Sequence, residues 1–210
     1  MLAEEANLNA LFAVAAGVGV LHTLAGPDHY LPLVAIGQSR SWTLRRLVGA
    51  TVGLGLIHCA VSALLVVGLM SLWGSVASDT LVDAMATTSA WLMVGTGVAL
   101  MVAAWRRRRI GPPRDGRAGL VLLSLVFLVG PCEWLIPCAL SAGAEHGLWG
   151  ALGVCAVYTL CTVSTMVTAV TVIQAGLHRV VRQTKTGPAF GGLLAALTCA
   201  ACGTLMLLGY

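Results

Sequence analysis

Charged side chains are scarce in this chain: only 10% of its 210 residues are Asp, Glu, Lys or Arg. Hydrophobic residues make up 58% of the sequence, and the mean hydropathy is +0.91. Soluble domains average about 25% charged residues. Because so little polar surface is available, the composition excludes a soluble globular domain and predicts a polytopic protein embedded in a lipid bilayer.

Motifs of enzymes and of ATP-driven pumps are also missing. The chain has no Ser-His-Asp set, no Walker loop and no dinucleotide fingerprint, so we predict that it is not an enzyme. Basic residues are absent from the N-terminal stretch, where Glu4 and Glu5 stand instead of the positive region of a signal peptide. We therefore expect the first apolar segment to remain in the mature protein.

The twelve basic residues that are present fall into three short clusters, at 40–46, 106–117 and 179–185. The positive-inside rule assigns such loops to the cytoplasm, where they anchor helix ends against anionic lipid, so no nucleic-acid partner is predicted. Six apolar segments make up most of the rest of the chain, and a basic loop follows the first, third and fifth of them. Each segment has at least the ~20 residues that a spanning helix needs. The segments are 9–37, 46–71, 84–105, 118–143, 148–173 and 187–208. Six crossings place both termini outside the cytoplasm, as expected for a protein of a bacterial inner membrane.

The two halves of the chain resemble each other on either side of a basic linker at 106–117. The first half is 1–105 and the second is 118–210. Two motifs recur in matching positions. They are Gly26-Pro-Asp-His-Tyr-Leu-Pro32 with Gly130-Pro-Cys-Glu-Trp-Leu-Ile-Pro137, and Cys59-Ala-Val-Ser62 with Cys161-Thr-Val-Ser164. Because each half has three crossings, the halves have opposite orientations, so the sequence predicts an inverted repeat, an arrangement typical of secondary transporters.

Prolines and glycines interrupt the first and fourth apolar segments. A proline lacks the N–H that would bond the carbonyl four residues earlier, so Pro27 and Pro131 leave the carbonyls of Thr23 and Phe127 without their usual helical partners. In a membrane, such carbonyls are tolerated where they face a cavity, water or an ion. We therefore predict helix breaks in helices 1 and 4. The residues expected at these breaks are Gly26, Pro27, Pro32, Gly130, Pro131 and Pro137.

Ionisable side chains that are rare in membrane segments gather beside these breaks. Such groups cost several kcal/mol unless they are paired or functional. The candidate metal ligands are His22, Asp28, His29, His58, Cys132 and Glu133. Nitrogen, oxygen and sulfur donors together suit a first-row divalent ion. In an unbroken helix His22 and His29 would lie ~10 Å apart, so they can converge only if Gly26-Pro27 unwinds the helix. Taken alone, His58 could instead be a hydrogen-bonding residue between helices.

Two aromatic residues occupy equivalent positions in the repeat. Tyr30 follows Asp28-His29 in the first half, and Trp134 follows Cys132-Glu133 in the second. Two interpretations stay open for this pair. The rings either pack across the pseudo-two-fold axis or form a gate over the ion.

The first of these motifs resembles a known family. His22-Thr-Leu-Ala-Gly-Pro-Asp28-His29 is similar to the signature of the nickel/cobalt transporter family, and His58-Cys-Ala-Val is similar to the histidine motif of that family's next helix. The family has four residues between His and Asp-His where this chain has five, and its later acid-rich motifs are missing here. The second-half motif is more similar to the short six-helix relatives known as urease-accessory-type metal permeases or sulfite-exporter-like proteins.

The resemblance implies a permease whose substrate is a divalent transition metal, with nickel or cobalt favoured. It implies metal recognition by His22, Asp28, His29 and His58, whereas Cys132 and Glu133 follow from the repeat. Sulfur at Cys132 leaves zinc or copper open, because affinity order alone does not select a metal. Protons are candidate coupling ions, since ligands must be deprotonated to bind. A homo-oligomer is compatible with the sequence.

A second resemblance gives the main alternative function. Thiol-disulfide carriers of the cytochrome-biogenesis type also have two inverted three-helix halves, with a Pro-Cys pair in each first helix. Pro131-Cys132 fits that pattern, but Asp28 follows Pro27, and a dithiol couple needs two sulfurs within disulfide reach. We expect Cys199 and Cys202 to be small packing residues between helices. An exporter of a small anion and an assembly factor without transport activity are further alternatives.

Overall fold

The computed structural model is helical in every long element that it describes. It describes residues 2–72, 84, 87–88, 90–99, 101–102, 105, 118–130, 132, 134–184 and 188–208. The helices are α1 (Leu2–Ala25), α2 (Leu31–Ser39), α3 (Leu44–Leu72), α4 (Ala90–Ala99), α5 (Ala118–Val129), α6 (Leu135–Thr184) and α7 (Pro188–Leu207). No strand occurs within these ranges, which confirms the all-α prediction. The linker at 106–117 lies outside the described residues.

Within the residues that the structure describes, three helices are long and apolar enough to cross a membrane. Their apolar stretches are Leu8–Ala25, Leu44–Ser71 and Leu135–Gly176, with mean hydropathies of 1.7, 2.3 and 1.8. Large apolar side chains such as Leu21, Leu64 and Leu160 point outwards from these helices and are 67–71% exposed. Such surfaces are stable against lipid tails and unfavourable in water, so a bilayer is the expected surrounding of these helices.

The first predicted segment, 9–37, consists of two separate helices. α1 ends at Ala25, Pro27–His29 form one turn of 3₁₀ helix, and α2 begins at Leu31. Gly26 is non-helical, with φ −95° and ψ 88°. Pro32 lies in the first turn of α2, where its missing N–H removes no intrahelical bond. Pro32 therefore starts a helix instead of interrupting one.

The second Gly-Pro step also lies between two helices. α5 ends at Val129 and α6 begins at Leu135, with the Gly130 N–H donating to Val126 O at 2.9 Å. Pro137 lies in the first turn of α6, as Pro32 does in α2. Pro131 and Glu133 lie outside the described residues.

Helix α6 consists of two arms that meet at Gly147. This residue has φ 64° and ψ −164°, a conformation that is essentially restricted to glycine. The short arm comprises 135–146 and the long arm 148–184. The turn between them falls within the connection at 144–147 expected from the sequence.

The long arm is flanked by α1 and α3 at close glycine crossings. A Cβ on Gly19 would lie 3.2 Å from both Tyr158 O and Thr162 Oγ1, and one on Gly55 would lie 3.1 Å from Met166 Sδ. Near the other end of α1, Gly153 faces the Phe12 ring. Residue numbers therefore increase in the same direction along α1 and along the long arm, so these two helices are parallel.

Buried apolar side chains form two separate cores. The first core packs α2 against the beginning of α3, including Leu47 and Leu54, and against the later part of the long arm, including Met166. The second core packs the short arm against the later part of α3, at Val66, and against the beginning of the long arm, at Val154. α2 thus packs in the first core, and the short arm of α6 packs in the second.

A candidate metal centre at the first helix break

At the break after α1, Gly26 occupies a position that has no room for a side chain. The Gly26 N–H donates to His22 O at 2.8 Å and closes the last turn of α1, and the His29 N–H donates to Gly26 O at 3.2 Å. A Cβ on Gly26 would lie 2.7 Å from His29 Nδ1 and 2.9 Å from Asp28 Oδ1. Because Gly26 has no side chain, the Asp28 and His29 side chains can fold back over it.

The side chains of Asp28 and His29 pair with each other at this break. His29 Nδ1 lies 3.3 Å from Asp28 Oδ2 and 3.1 Å from Gly26 O. A carbonyl oxygen only accepts hydrogen bonds, so contact with Gly26 O requires the proton on Nδ1. Nε2 is then the lone-pair nitrogen of the neutral ring, which is the form of histidine that binds metals.

Three imidazole rings lie next to one another beside this pair. The ring centroids of His22 and His29 are 4.7 Å apart, and those of His29 and His58 are 5.5 Å apart, both in edge-to-face contact. The break at Gly26 brings His22 and His29 to this separation, about half the ~10 Å of a continuous helix. His58 reaches the same place from the middle of α3.

His58 also contacts a backbone carbonyl. This carbonyl lacks its usual helical donor, because the residue four positions later is a proline. Residue 131 is a proline, so Phe127 O cannot accept its usual helical bond, and His58 Nδ1 lies 3.3 Å from this oxygen. The contact places the proton of His58 on Nδ1, because the carbonyl has none to give. His58 therefore has the interhelical role that we considered for it, while its Nε2 retains a lone pair.

Three histidine ring nitrogens are buried without hydrogen-bond partners among the described residues. They are Nε2 of His22, of His58 and of His146. The rings of His22 and His58 lie beside His29, whereas His146 lies beside Glu145. Most buried polar side-chain atoms have a partner, and an exception calls for an explanation such as an unseen water or ion. Two such nitrogens on either side of the Asp28–His29 pair fit a cation-binding role.

The rings are not arranged around a single point. No group of three or more His, Cys, Asp or Glu side chains in the described part of the chain has a geometry that could hold a metal ion. The imidazoles instead pack edge to face. Shared ligation of one ion by these residues would require the rings to turn about their side-chain torsions.

Cys132 contacts a different group of residues. Its N–H donates to Ser62 Oγ at 2.7 Å, and its thiol donates to Tyr158 Oη at 3.1 Å. The side chain is fully buried in the second core. A backbone link nevertheless joins Cys132 to the imidazoles, because Ser62 Oγ donates to His58 O at 3.1 Å.

Tyr30 and Trp134 have different surroundings. Tyr30 Oη donates to Leu24 O at 3.2 Å, and the ring packs against the first core. Trp134 is 57% exposed, with its ring centroid 6.4 Å from that of His22. Of these two rings, Trp134 is therefore the one that lies beside an imidazole and also reaches the surface.

Sequence reasoning did not identify Ser62 or Tyr158 as part of this region. Ser62 belongs to the repeated Cys59-Ala-Val-Ser62 motif, so its recurrence was the available signal. Tyr158 is fully buried in the long arm, and nothing in the sequence around it indicates a contact with Cys132. The Phe127 carbonyl was identified from Pro131, but its partner was not.

Comparison of the chain with protein-family models, with curated proteins and with solved structures gives no match. The similarity to nickel/cobalt transporters therefore rests on the motifs around His22 and His58 alone.

Proposed function

We propose that the protein is a membrane permease for a divalent transition-metal ion that binds at the first helix break. His22, His29 and His58 supply imidazole nitrogens, and Asp28 supplies the negative charge. The observation that carries the proposal is the pair of buried, unpartnered Nε2 atoms on His22 and His58. Both rings lie beside the Asp28–His29 pair, at the break between α1 and α2.

This donor set favours some metals over others. Imidazole nitrogens suit nickel, cobalt, zinc and copper, whereas calcium and magnesium take oxygen ligands. Contacts to the opposite nitrogen orient two of the rings, since Gly26 O fixes His29 and Phe127 O fixes His58. Such supporting hydrogen bonds are typical of metal-binding histidines. Nickel or cobalt is the substrate that we favour, in line with the sequence motifs.

The two cores support the proposed inverted repeat of three crossings each. α2 and the short arm each follow a Gly-Pro sequence and precede a long helix. α2 packs against the beginning of α3 and the later part of the long arm. The short arm packs against the beginning of the long arm and the later part of α3. The contacts of α2 and α3 in the first half therefore correspond to those of the short and long arms in the second half, as an inverted repeat requires. Six crossings with both termini outside the cytoplasm of a bacterium follow from the basic loops.

Cys132, Glu133 and the two aromatic residues enter the proposal in different ways. Cys132 would have to release Tyr158 before its sulfur could bind an ion, so we assign it to a later step of transport. Glu133 is included on the repeat alone. Trp134 is the better gate candidate, because it is exposed beside His22. Protons compete with metal for the same ligands, so they are the candidate coupling ions.

The thiol-disulfide alternative receives no support from the cysteine positions. Cys132 belongs to the second core, whereas Cys199 and Cys202 belong to the first. Disulfides join cysteines whose Cα atoms are within about 7 Å. Residues in two different cores are poorly placed for such a bond.

Metal binding and uptake by two site variants test the proposal. Asp28→Asn removes the charge and His29→Ala removes the central ring. Titration calorimetry with NiCl₂ and CoCl₂ should show at least a tenfold loss of affinity, and vesicle uptake should fall in parallel. His146→Ala is the matched control, because this ring lies beside Glu145 next to the Gly147 turn. Wild-type affinity in both site variants would refute the site.

A further inference from the structure

One turn of α3 holds the second helix break in place. His58 Nδ1 donates to Phe127 O at 3.3 Å. Four residues further on, Ser62 Oγ accepts from the Cys132 N–H at 2.7 Å and donates to His58 O at 3.1 Å. Phe127 lies at the end of α5 and Cys132 lies just before α6. The turn from His58 to Ser62 therefore bonds both sides of the break.

The bond from His58 satisfies a carbonyl without a helical donor, because residue 131 is a proline and has no N–H. The last helical bond of α5 is donated by Gly130 to Val126 O, so Phe127 O is the next acceptor in the series. An unsatisfied buried backbone group costs about 1–3 kcal/mol. Rotation of His58 or loss of the Ser62 hydroxyl would thus weaken the arrangement of the break.

The same turn is part of the candidate metal centre in the first half. His58 packs against His29, and its Nε2 is buried without a described partner. A cation on the lone pair of Nε2 would draw electron density from the ring and make Nδ1–H a stronger donor. Occupancy at the first break would then strengthen the bond to Phe127 O at the second.

We propose that the turn from His58 to Ser62 couples ion occupancy at the first break to the geometry of the second break. The proposal rests on the proposed metal-binding function. His58 and Ser62 act here as positioning residues, because they hold the backbone of Phe127 and Cys132. Metal binding would strengthen the bonds from this turn to the backbone of Phe127 and Cys132, and metal release would weaken them.

The thiol of Cys132 reports on this geometry, since it is fully buried and bonded to Tyr158. Its alkylation by N-ethylmaleimide can be followed by peptide mass spectrometry in the full-length protein, with and without NiCl₂. We expect nickel to slow alkylation of Cys132 in the wild type. Ser62→Ala should raise the rate without metal about fivefold, the factor expected for the loss of one ordinary hydrogen bond. It should also weaken the effect of nickel, because only the His58–Phe127 bond then remains.

Two further variants complete the design. Ser62→Thr keeps a hydroxyl at this position and should restore slow, nickel-sensitive alkylation. His58→Asn keeps a donor near Phe127 O but has no nitrogen at the Nε2 position, so the rate without metal should stay close to wild type while nickel has no effect. Circular dichroism and gel filtration identify any variant that is misfolded.

The outcomes separate the two proposals. Wild-type protein that binds no nickel in calorimetry overturns the metal function and the coupling together. Wild-type protein that binds nickel with no change in Cys132 alkylation overturns the coupling alone. Nickel protection that persists in a folded His58→Asn variant also overturns the coupling, because it shows that nickel protects the thiol without the His58 ring.

Discussion

Replacement of Gly26 by alanine tests the packing of the candidate metal centre most directly. The new methyl group would lie 2.7 Å from His29 Nδ1, 2.9 Å from Asp28 Oδ1 and 3.1 Å from His22 O. Carbon atoms do not approach other heavy atoms this closely without a shift. The two side chains must therefore move off the backbone, which separates the carboxylate from the ring that it orients.

The expected effect on metal binding follows from the role of that contact. Loss of a group that orients a metal-binding histidine lowers affinity by about 10- to 100-fold, or about 1.4–2.8 kcal/mol. Overpacking of a closely packed position costs about 1–3 kcal/mol of stability. Gly26 has a negative φ that alanine adopts without strain, so the effect comes from the contacts and not from the backbone conformation.

Gly17→Ala is the matched control for this experiment. Gly17 belongs to α1 as well, and no described atom outside the local helix lies within 4 Å of its ideal Cβ. Its replacement should keep nickel affinity and stabilise the helix by up to about 1 kcal/mol. Titration calorimetry gives the affinities, and thermal unfolding in detergent gives the stabilities. A Gly26→Ala protein with wild-type nickel affinity would refute the packing that we describe.

Three further predictions concern packing, hydrogen bonding and pH. Gly203→Val should lower the unfolding temperature clearly, because a Cβ there lies 2.7 Å from Val94 N. Gly68→Val is the control, because no described atom lies within 4 Å of a Cβ at that position. Equal losses of unfolding temperature in the two variants would contradict the close approach of α4 and α7. Tyr158→Phe removes the acceptor of the Cys132 thiol and should cost about 1 kcal/mol with nickel affinity unchanged in calorimetry; an unchanged unfolding temperature would argue against this bond. Nickel affinity should fall as the pH is lowered, since protons compete for the ring nitrogens. Affinity independent of pH would speak against imidazole ligands.

Much of the helical organisation could be predicted from composition and proline chemistry. The apolar segment at 46–71 corresponds to α3, and α1 ends one residue before Gly26. The missing N–H of Pro131 identified the Phe127 carbonyl, because this argument needs no tertiary contact. Local backbone rules are readable in a single sequence for this reason.

Other features depend on which helices meet in three dimensions. Pro32 and Pro137 were expected to interrupt helices, yet each stands in the first turn of one, and sequence pattern alone does not distinguish these two roles. The contacts of Ser62 and Tyr158 with Cys132 join α3 and the long arm to the second break. Sequence periodicity places a residue on a helix face but does not say which neighbour covers that face.

The division of the buried apolar side chains into two cores has a mechanical consequence. α2 belongs to one core and the short arm to the other, while His58 lies between Leu54 of the first and Val66 of the second along α3. Close-packed interiors resist deformation and transmit strain, but a boundary between two packed blocks confines that strain. One short helix could thus be repacked while the opposite block stays rigid, which is the asymmetry that the proposed permease would need to keep one end closed while the other opens.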